Sequence, residues 1–197
     1  MVVELLSVGT ELLLGSIVNT NARFLAEKCA RLGLSMYSQT VVGDNGQRLK
    51  SAVETALSRS DIVILTGGLG PTEDDLTKET CAEVFGCALV EDGHTRKRIE
   101  EFFRNSIYKD IPKNNWKQAM VPQGALVLDN DNGTAPGLIL EKNGKAAVLL
   151  PGPPNELYPL FEEQVSPYLQ NLQPEVIRSQ MVKICGIGAS GVEERLL

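Results

Sequence analysis

The sequence predicts an α/β domain, a mixed and mostly parallel sheet with covering helices, followed by the start of a small α+β appendage. Three observations carry this. Val2–Val8 and Ile62–Leu65 are apolar runs without polar alternation, as expected of strands buried on both faces of a sheet. Strand-like and helix-like segments alternate twice before residue 66, and a chain that alternates in this way builds a parallel sheet with helices packed on it. Asn143-Gly144 lies between two apolar runs and supplies the two positive-φ residues of a type I′ turn, so one strand pair is antiparallel.

The elements follow in order. After strand Val2–Val8 and the loop Gly9 to Gly15, Asn19 or Asn21 caps a helix whose Ala22, Leu25, Cys29 and Leu32 share one face, with Gly33 at the left-handed C-terminal position. Ser35 to Val42 is the second strand. Gly43-Asp44-Asn45-Gly46 then turns into a helix carrying Leu49, Val53, Ala56 and Leu57 at helical spacing, and the third strand is Asp61 to Leu65. A Gly-rich, acidic connection, Thr66 to Asp75, leads to a helix from Leu76 to Phe85 stopped by Gly86. A further helix is expected from Gly93 to Asn105, with Ile99, Phe102 and Phe103 toward the core, whereas Tyr108 to Met120 has no clear pattern. The hairpin Leu138 to Leu150 is broken by Pro151-Gly152-Pro153-Pro154, and a helix from Asn155 to Leu169 closes the first domain, residues 1–170. Residues 171–197 read as a linker and an incomplete second module: a strand from Glu175 to Cys185 and a helix starting at Ser190.

Composition excludes several functions. With 197 residues, 43% of them hydrophobic, the chain does not depend on disulfide or metal staples to hold a core. Lys and Arg number 19 against 25 Asp and Glu, a net charge of −6, and the longest basic run, Arg96-Lys97-Arg98, is followed by Glu100-Glu101. No nucleic-acid partner is expected. No apolar stretch reaches the roughly 18 to 20 residues of a membrane span and no leader pattern opens the chain, so a soluble, cytoplasmic protein without a membrane partner is expected. One histidine and four scattered cysteines leave almost no material for a zinc site or a Cys/His or Ser/His pair. The thiols are expected to be reduced and largely buried.

The strongest chemical feature is Thr66-Gly67-Gly68-Leu69-Gly70-Pro71-Thr72-Glu73-Asp74-Asp75 between a buried strand and a helix. Ligands of open α/β sheets bind where strand carboxyl ends and helix amino ends converge. Gly67, Gly68 and Gly70 let the backbone approach an oxyanion, so a phosphate is expected here. No Lys-Ser or Lys-Thr follows for a Walker loop, and no third Gly follows for a dinucleotide fingerprint. Asp74 and Asp75 have two readings: first-turn carboxylates favoured by the helix dipole, one of them capping, or holders of Mg²⁺ against substrate oxygens. Three further segments, Gly9-Thr10-Glu11 with Asn19, Asn132-Gly133-Thr134, and Pro151-Gly152 with Glu156, are turn chemistry singly and a composite site together. Asp44 reads as a cap or a site carboxylate, and Lys117 as a phosphate-directed cation or a surface lysine.

Seven ordered segments, Gly9 to Gly15, Asn19-Thr20-Asn21, Val42 to Asn45, Thr66 to Thr77, Asn115 to Ala119, Asn132 to Gly137 and Leu150 to Glu156, resemble the amino-terminal domain of the CinA (competence/damage-inducible) family within the MoaB/MogA-like molybdopterin-binding superfamily. The resemblance implies a three-layer α/β/α domain. It also implies a metal-dependent hydrolase acting on ADP-ribose, releasing AMP and ribose 5-phosphate with a divalent cation (Mg²⁺, Mn²⁺ or Co²⁺) and K⁺; related domains are linked to FAD hydrolysis or to molybdopterin. On this reading Asp74, Asp75 and Glu11 hold the metal, with Asp44 as a further candidate, and Lys117 stabilises developing charge. Thr10, Asn19, Asp44, Thr66, Gly67, Gly68, Gly70, Thr72, Asn132, Gly133, Thr134, Pro151, Gly152 and Glu156 line the substrate site. The family's nicotinamide mononucleotide deamidase activity is not expected of these 197 residues, and Gly186-Ile187-Gly188-Ala189-Ser190 has Ala where the family often has Glu. The competing expectations are a pterin- or nucleotide-binding module without hydrolysis and, more remotely, an oligomerisation platform. A homo-oligomer, dimer or trimer, is expected.

Overall fold

A computed structural model describes residues 1–105, 110–173, 184–186 and 188–196. One six-stranded sheet organises the chain, in the order β2-β1-β3-β8-β7-β6. Strands β1 (Val2–Val8), β2 (Ser35–Val42), β3 (Ile62–Thr66) and β8 (Lys145–Leu150) are mutually parallel, while β7 (Gly137–Lys142) is antiparallel to both β8 and β6 (Leu126–Leu128). The β7–β8 turn is the expected one, with positive φ at Asn143 and Gly144. The apolar runs are central for the reason given by their composition: Ile62 to Leu65 are inaccessible because helices cover both faces.

The stretch after β1, read as a loop, holds one short helix, α1 (Thr10–Leu13). On one face α2 (Thr20–Arg31), α6 (Pro154–Leu160) and a π-helical turn (Phe161–Val165) pack over Leu5, Ile64 and Val148. The opposite face packs α3 (Gly46–Arg59) and α4 (Thr77–Phe85) over Leu6, Leu65 and Leu149. The architecture is therefore three-layer α/β/α. Asn19 caps α2 by accepting from Ala22 N at 3.0 Å, and its carboxyl end closes through Gly33 N to Ala30 O (3.1 Å) and Leu34 N to Cys29 O (3.0 Å), a Schellman arrangement with φ of 75° at Gly33. Helix α5 (Gly93–Asn105) starts with Asp92 accepting from Thr95 N, a bond that holds the Asp92 carboxyl below its ordinary pKa.

Several elements depart from the sequence reading. Strands β4 (Leu89–Glu91) and β5 (Met120–Pro122) form a separate two-stranded sheet, and β6 was not anticipated; three residues are too few to show periodicity. The patternless segment contains a 3₁₀-helix, Lys113–Ala119, whose Trp116 ring lies under the Arg96 guanidinium, 4.3 Å from ring centroid to Cζ. Phe102 does not join the core as Ile99 does; it is 42% exposed and faces the functional cleft. The last helix of the domain continues through the π turn and α7 (Ser166–Leu172), and Gln173 donates to Gly33 O and accepts from the Met1 ammonium. The strand expected from Glu175 to Cys185 lies almost wholly outside the described residues, and α8 covers Ala189–Leu196. Cys29 and Cys81 are buried, which pushes both thiols up to about 12; Cys87 is half-buried, Cys185 exposed, and all four are free. No described helix is long and apolar enough to cross a membrane.

Candidate functional site

Because β1, β2, β3 and β8 run parallel, their carboxyl ends meet at one edge. Chain order reverses between β1 and β3, since β1 leads outward to β2 and β3 lies on its other side. A cleft of about 890 Å³ opens at that reversal, lined by the loops that follow β1, β2, β3 and β8 and by the β6–β7 connection.

Gly67 is closed in by backbone. Its N–H donates to Leu150 O at 3.0 Å, its φ is 91°, and a β-carbon there would overlap the carbonyl oxygen of Val8. Only glycine lets the three strand ends close against one another. Thr77, fully buried, anchors the loop to α4: its hydroxyl donates to Gly67 O (2.8 Å) and its amide to Gly68 O (3.1 Å). The first helical N–H is thus taken by the loop rather than left for a ligand.

Asp74 and Asp75 precede the helix instead of beginning it, and neither caps it; the residue at the cap position is Leu76. Asp75 closes its own turn, its Oδ2 accepting from Thr72 N (2.9 Å) and Thr72 Oγ1 (2.6 Å). Asp44 is also not a helix cap. Asn45 performs that task by accepting from Arg48 N, while Asp44 Oδ2 accepts from Thr10 N (2.9 Å) and Thr10 Oγ1 (2.7 Å), tying the β2 loop to the β1 loop.

Lys117 does not line the cleft. Its ammonium donates to Thr72 O (2.7 Å) and Asp75 O (2.5 Å) from behind the acidic turn, which makes it a clamp on the loop. Lys78 in turn donates to Lys117 O at 2.5 Å, and burial to 5% exposure brings its pKa down to about 8 despite nearby Glu79. Gln118 completes the buttress by donating to Leu69 O at 3.2 Å. The sequence signals for this part are its adjacency to Lys117 and the family segment Asn115 to Ala119 that holds both.

Across the cleft, Glu156 Oε2 accepts from Asn130 Nδ2 at 2.6 Å, and Gly133 lies so close that a β-carbon would overlap that oxygen. Half-burial raises the Glu156 pKa, the Asn130 bond partly opposing it. Asn130 also donates to Ala135 O and accepts from Asn132 N, so it shapes the whole Asn132–Ala135 loop. Sequence reading passed over it, although an Asx turn two residues long is what Asn-Asp-Asn offers. Asn21, which the sequence offers as an alternative cap and within the family segment Asn19-Thr20-Asn21, joins α2 to the β8 loop by donating to Gly152 O at 2.7 Å.

Of the expected site residues, Glu11, Asn19, Asp44, Thr66, Gly67, Gly68, Gly70, Thr72, Asp74, Asp75, Asn132, Gly133, Thr134, Pro151, Gly152 and Glu156 all line the cleft; Thr10 and Lys117 stand behind it. The proposed metal set of Glu11, Asp74 and Asp75 does not converge: among the described residues no three His, Cys, Asp or Glu side chains form a metal-holding group. What the cleft presents is a wall of five carboxylates, Glu11, Asp44, Asp74, Asp75 and Glu156, with no Lys, Arg or His among its described lining residues. That donor set fits a divalent ion held by one or two carboxylates and by ligand oxygens, as Mg²⁺ is commonly bound, better than a protein-only cage.

Fold and cleft together define a ligand-binding α/β/α domain with its site at the switch point of the sheet. Residues 4–171 match the family described as "Probable molybdopterin binding domain". The protein CinA of Thermoplasma acidophilum, described as of unknown function, has a solved structure that is 34% identical, with a TM-score of 0.78, covering 84% of this chain and 96% of that one. A CinA-like protein of Dictyoglomus turgidum is 53% identical over 193 residues, 98% of this chain and 47% of the relative. MoaB of Thermus thermophilus, a molybdopterin biosynthesis enzyme, shares the fold at 16% identity, with a TM-score of 0.56 over 90% of this chain and 99% of that one. The chain belongs to the molybdopterin-binding domain family and, within it, to the CinA proteins. It spans about half the length of the curated relatives it matches.

Proposed function

We propose that the domain binds a nucleoside diphosphate conjugate together with a divalent cation and hydrolyses its pyrophosphate link, ADP-ribose being the substrate implied by the CinA resemblance. The observation that carries this is the composition of the cleft: a glycine loop suited to phosphate oxygens, faced by five carboxylates and no basic side chain. A diphosphate entering alone would meet like charge on every side, so it must bring a cation.

The residues divide the work. Gly67, Gly68 and Gly70 bring backbone against the phosphates, and Thr72 is held at the loop edge by Asp75. Asp75 or Asp74, alone or with one further carboxylate of the wall (Glu11 or Asp44), would hold Mg²⁺, Mn²⁺ or Co²⁺ together with the phosphate oxygens of the ligand, with K⁺ as an accompanying ion. Such a metal supplies charge neutralisation on the phosphates and activation of water. Asn19, Thr134 and Glu156 orient the rest of the ligand, and Lys117 keeps the Thr72–Asp75 turn in place. Water adds to one phosphorus and the bridging P–O bond breaks, giving AMP and ribose 5-phosphate, the proton of the attacking water passing to solvent.

The test is AMP release from ADP-ribose or FAD by the purified protein with each divalent ion, with and without K⁺. No release with any ion removes the hydrolase reading. The family description supports a second reading, a pterin- or nucleotide-binding module without turnover; calorimetric binding of ADP-ribose, AMP or a molybdopterin analogue without product would select it. Self-association is part of the proposal: Leu13, Leu14, Ile17 and Val18 are 52 to 83% exposed beside the cleft, an apolar rim that a second copy could cover. Light scattering that returns only a monomer would remove that part.

A further inference from the structure

Beyond Gly133 the cleft continues into a second lobe of about 460 Å³ against α5, and Phe102, Gly133 and Thr134 line both spaces. The chemistry changes across that boundary. The first lobe is glycine backbone and carboxylates, with no basic side chain among its described lining residues. In the second, the one cation of the described lining, Arg98, is already engaged and carboxylates remain in excess (Glu101, Asp129 and Asp131): Arg98 donates to Asp131 Oδ1 (2.5 Å) and Asn130 O (3.2 Å) and lies 3.5 Å from Asp129, whose carboxylate also meets His94 Nε2 at 2.9 Å. A phosphate gains little there, because the cation is already matched.

Phe102 stands at the junction. Its neighbour on the core side of α5, Ile99, is 1% exposed, yet the Phe102 ring is 42% exposed and borders both lobes. An aromatic face beside fixed carboxylate and carbonyl acceptors suits a planar ring bearing N–H donors.

We propose that the second lobe is a base subsite: a heteroaromatic ring with an exocyclic amine, a purine or a pterin, lies against Phe102 with its N–H groups toward Asp129 and Asp131, while its phosphates occupy the Gly67–Gly70 lobe. This rests on the phosphate reading of the main cleft and adds to it the part of the ligand that the glycine loop cannot recognise. It makes the ring, and not the diphosphate, the determinant of which conjugates are accepted.

The experiment is calorimetry on the 197-residue protein with Mg²⁺, titrating ADP and inorganic pyrophosphate into the wild type and Phe102→Ala. Phe102 also meets Phe103 edge-on, ring centroids 6.0 Å apart, so the variant's melting temperature is read alongside and its pyrophosphate affinity serves as the control for an intact cleft. The expected result is a loss of ADP affinity of about tenfold or more, the range for removing one stacking platform, with pyrophosphate affinity unchanged. A Phe102→Trp variant should also show a change in tryptophan emission on adding ADP that pyrophosphate does not produce. Equal loss for both ligands, or no loss for either, overturns the base subsite. Failure of the wild type to bind either ligand is a different result: it removes the phosphate reading itself.

Discussion

Replacing Lys78 with methionine tests how the glycine loop is held, because this ammonium is buried behind it. Its pKa is lowered from an ordinary 10.5 to about 8, chiefly by burial, with the Lys117 charge adding and Glu79 and Asp75 opposing. A folded pKa below the unfolded one means that the unfolded chain binds more protons between pH 8 and 10.5, so stability must rise with pH through that window. At pH 7 both states are protonated and the burial penalty is about 3 kcal/mol; by pH 9.5 about 2 kcal/mol of it should have disappeared. Methionine removes the penalty, but it also removes the donor to Lys117 O, and an unsatisfied carbonyl costs about 1–3 kcal/mol. The two variants should therefore be of similar stability at pH 7. The decisive quantity is the difference between them: wild type minus Lys78→Met should shift by about 2 kcal/mol in favour of wild type from pH 7 to 9.5. Urea denaturation at four or five pH values measures it, and other lysines and tyrosines cancel in the comparison. A difference independent of pH would refute the burial of a titrating Lys78.

Four further outcomes are expected. Gly67→Ala combines positive-φ strain with overlap on the Val8 carbonyl and should lose about 2–5 kcal/mol in denaturant melts, with ligand binding abolished. Asp75→Ala should lose about 1–2 kcal/mol, because two hydrogen bonds from Thr72 lose their acceptor, whereas Asp75→Asn keeps most of that stability and yet lowers AMP release at least tenfold; full activity in Asp75→Asn would remove Asp75 from the metal role. Lys117→Met frees two carbonyls and should cost about 1–2 kcal/mol while raising KM more than it lowers kcat, since the lysine positions the loop without touching the ligand. Glu156 has a raised folded pKa, so its carboxyl stabilises the fold when protonated and less as pH rises through the folded value; Glu156→Gln should melt at or above the wild type at pH 7.5, and that advantage should vanish toward pH 4.

Long elements with one dominant signal were legible in the chain. The unalternating runs of β1 and β3, the Asn143-Gly144 turn, the Asn19 cap and the Gly33 and Gly86 stops each depend on residues within a few positions of one another. Strands β4, β5 and β6 were not, because a three-residue strand owes its conformation to its partner: Val90 pairs with Val121 across thirty residues, and Val127 with Leu138 across a loop. The caps were misassigned for a related reason. Asp44 and Asp75 are good cap residues by type, and the fold used them to fasten loops to Thr10 and Thr72.

The sequence by itself determined an α/β domain, a glycine loop at a strand end, an acid excess, and most of the residues that line the cleft. Tertiary structure decided the rest. It turned Lys117 from a cation facing the ligand into a clamp on backbone carbonyls, kept Glu11, Asp74 and Asp75 from meeting as a metal cage, and moved Phe102 from the expected core to the rim of a second lobe. The physical reason is common to all three. Residue type and spacing specify what a side chain can bond, but long side chains choose among partners that only folding brings within 3 Å.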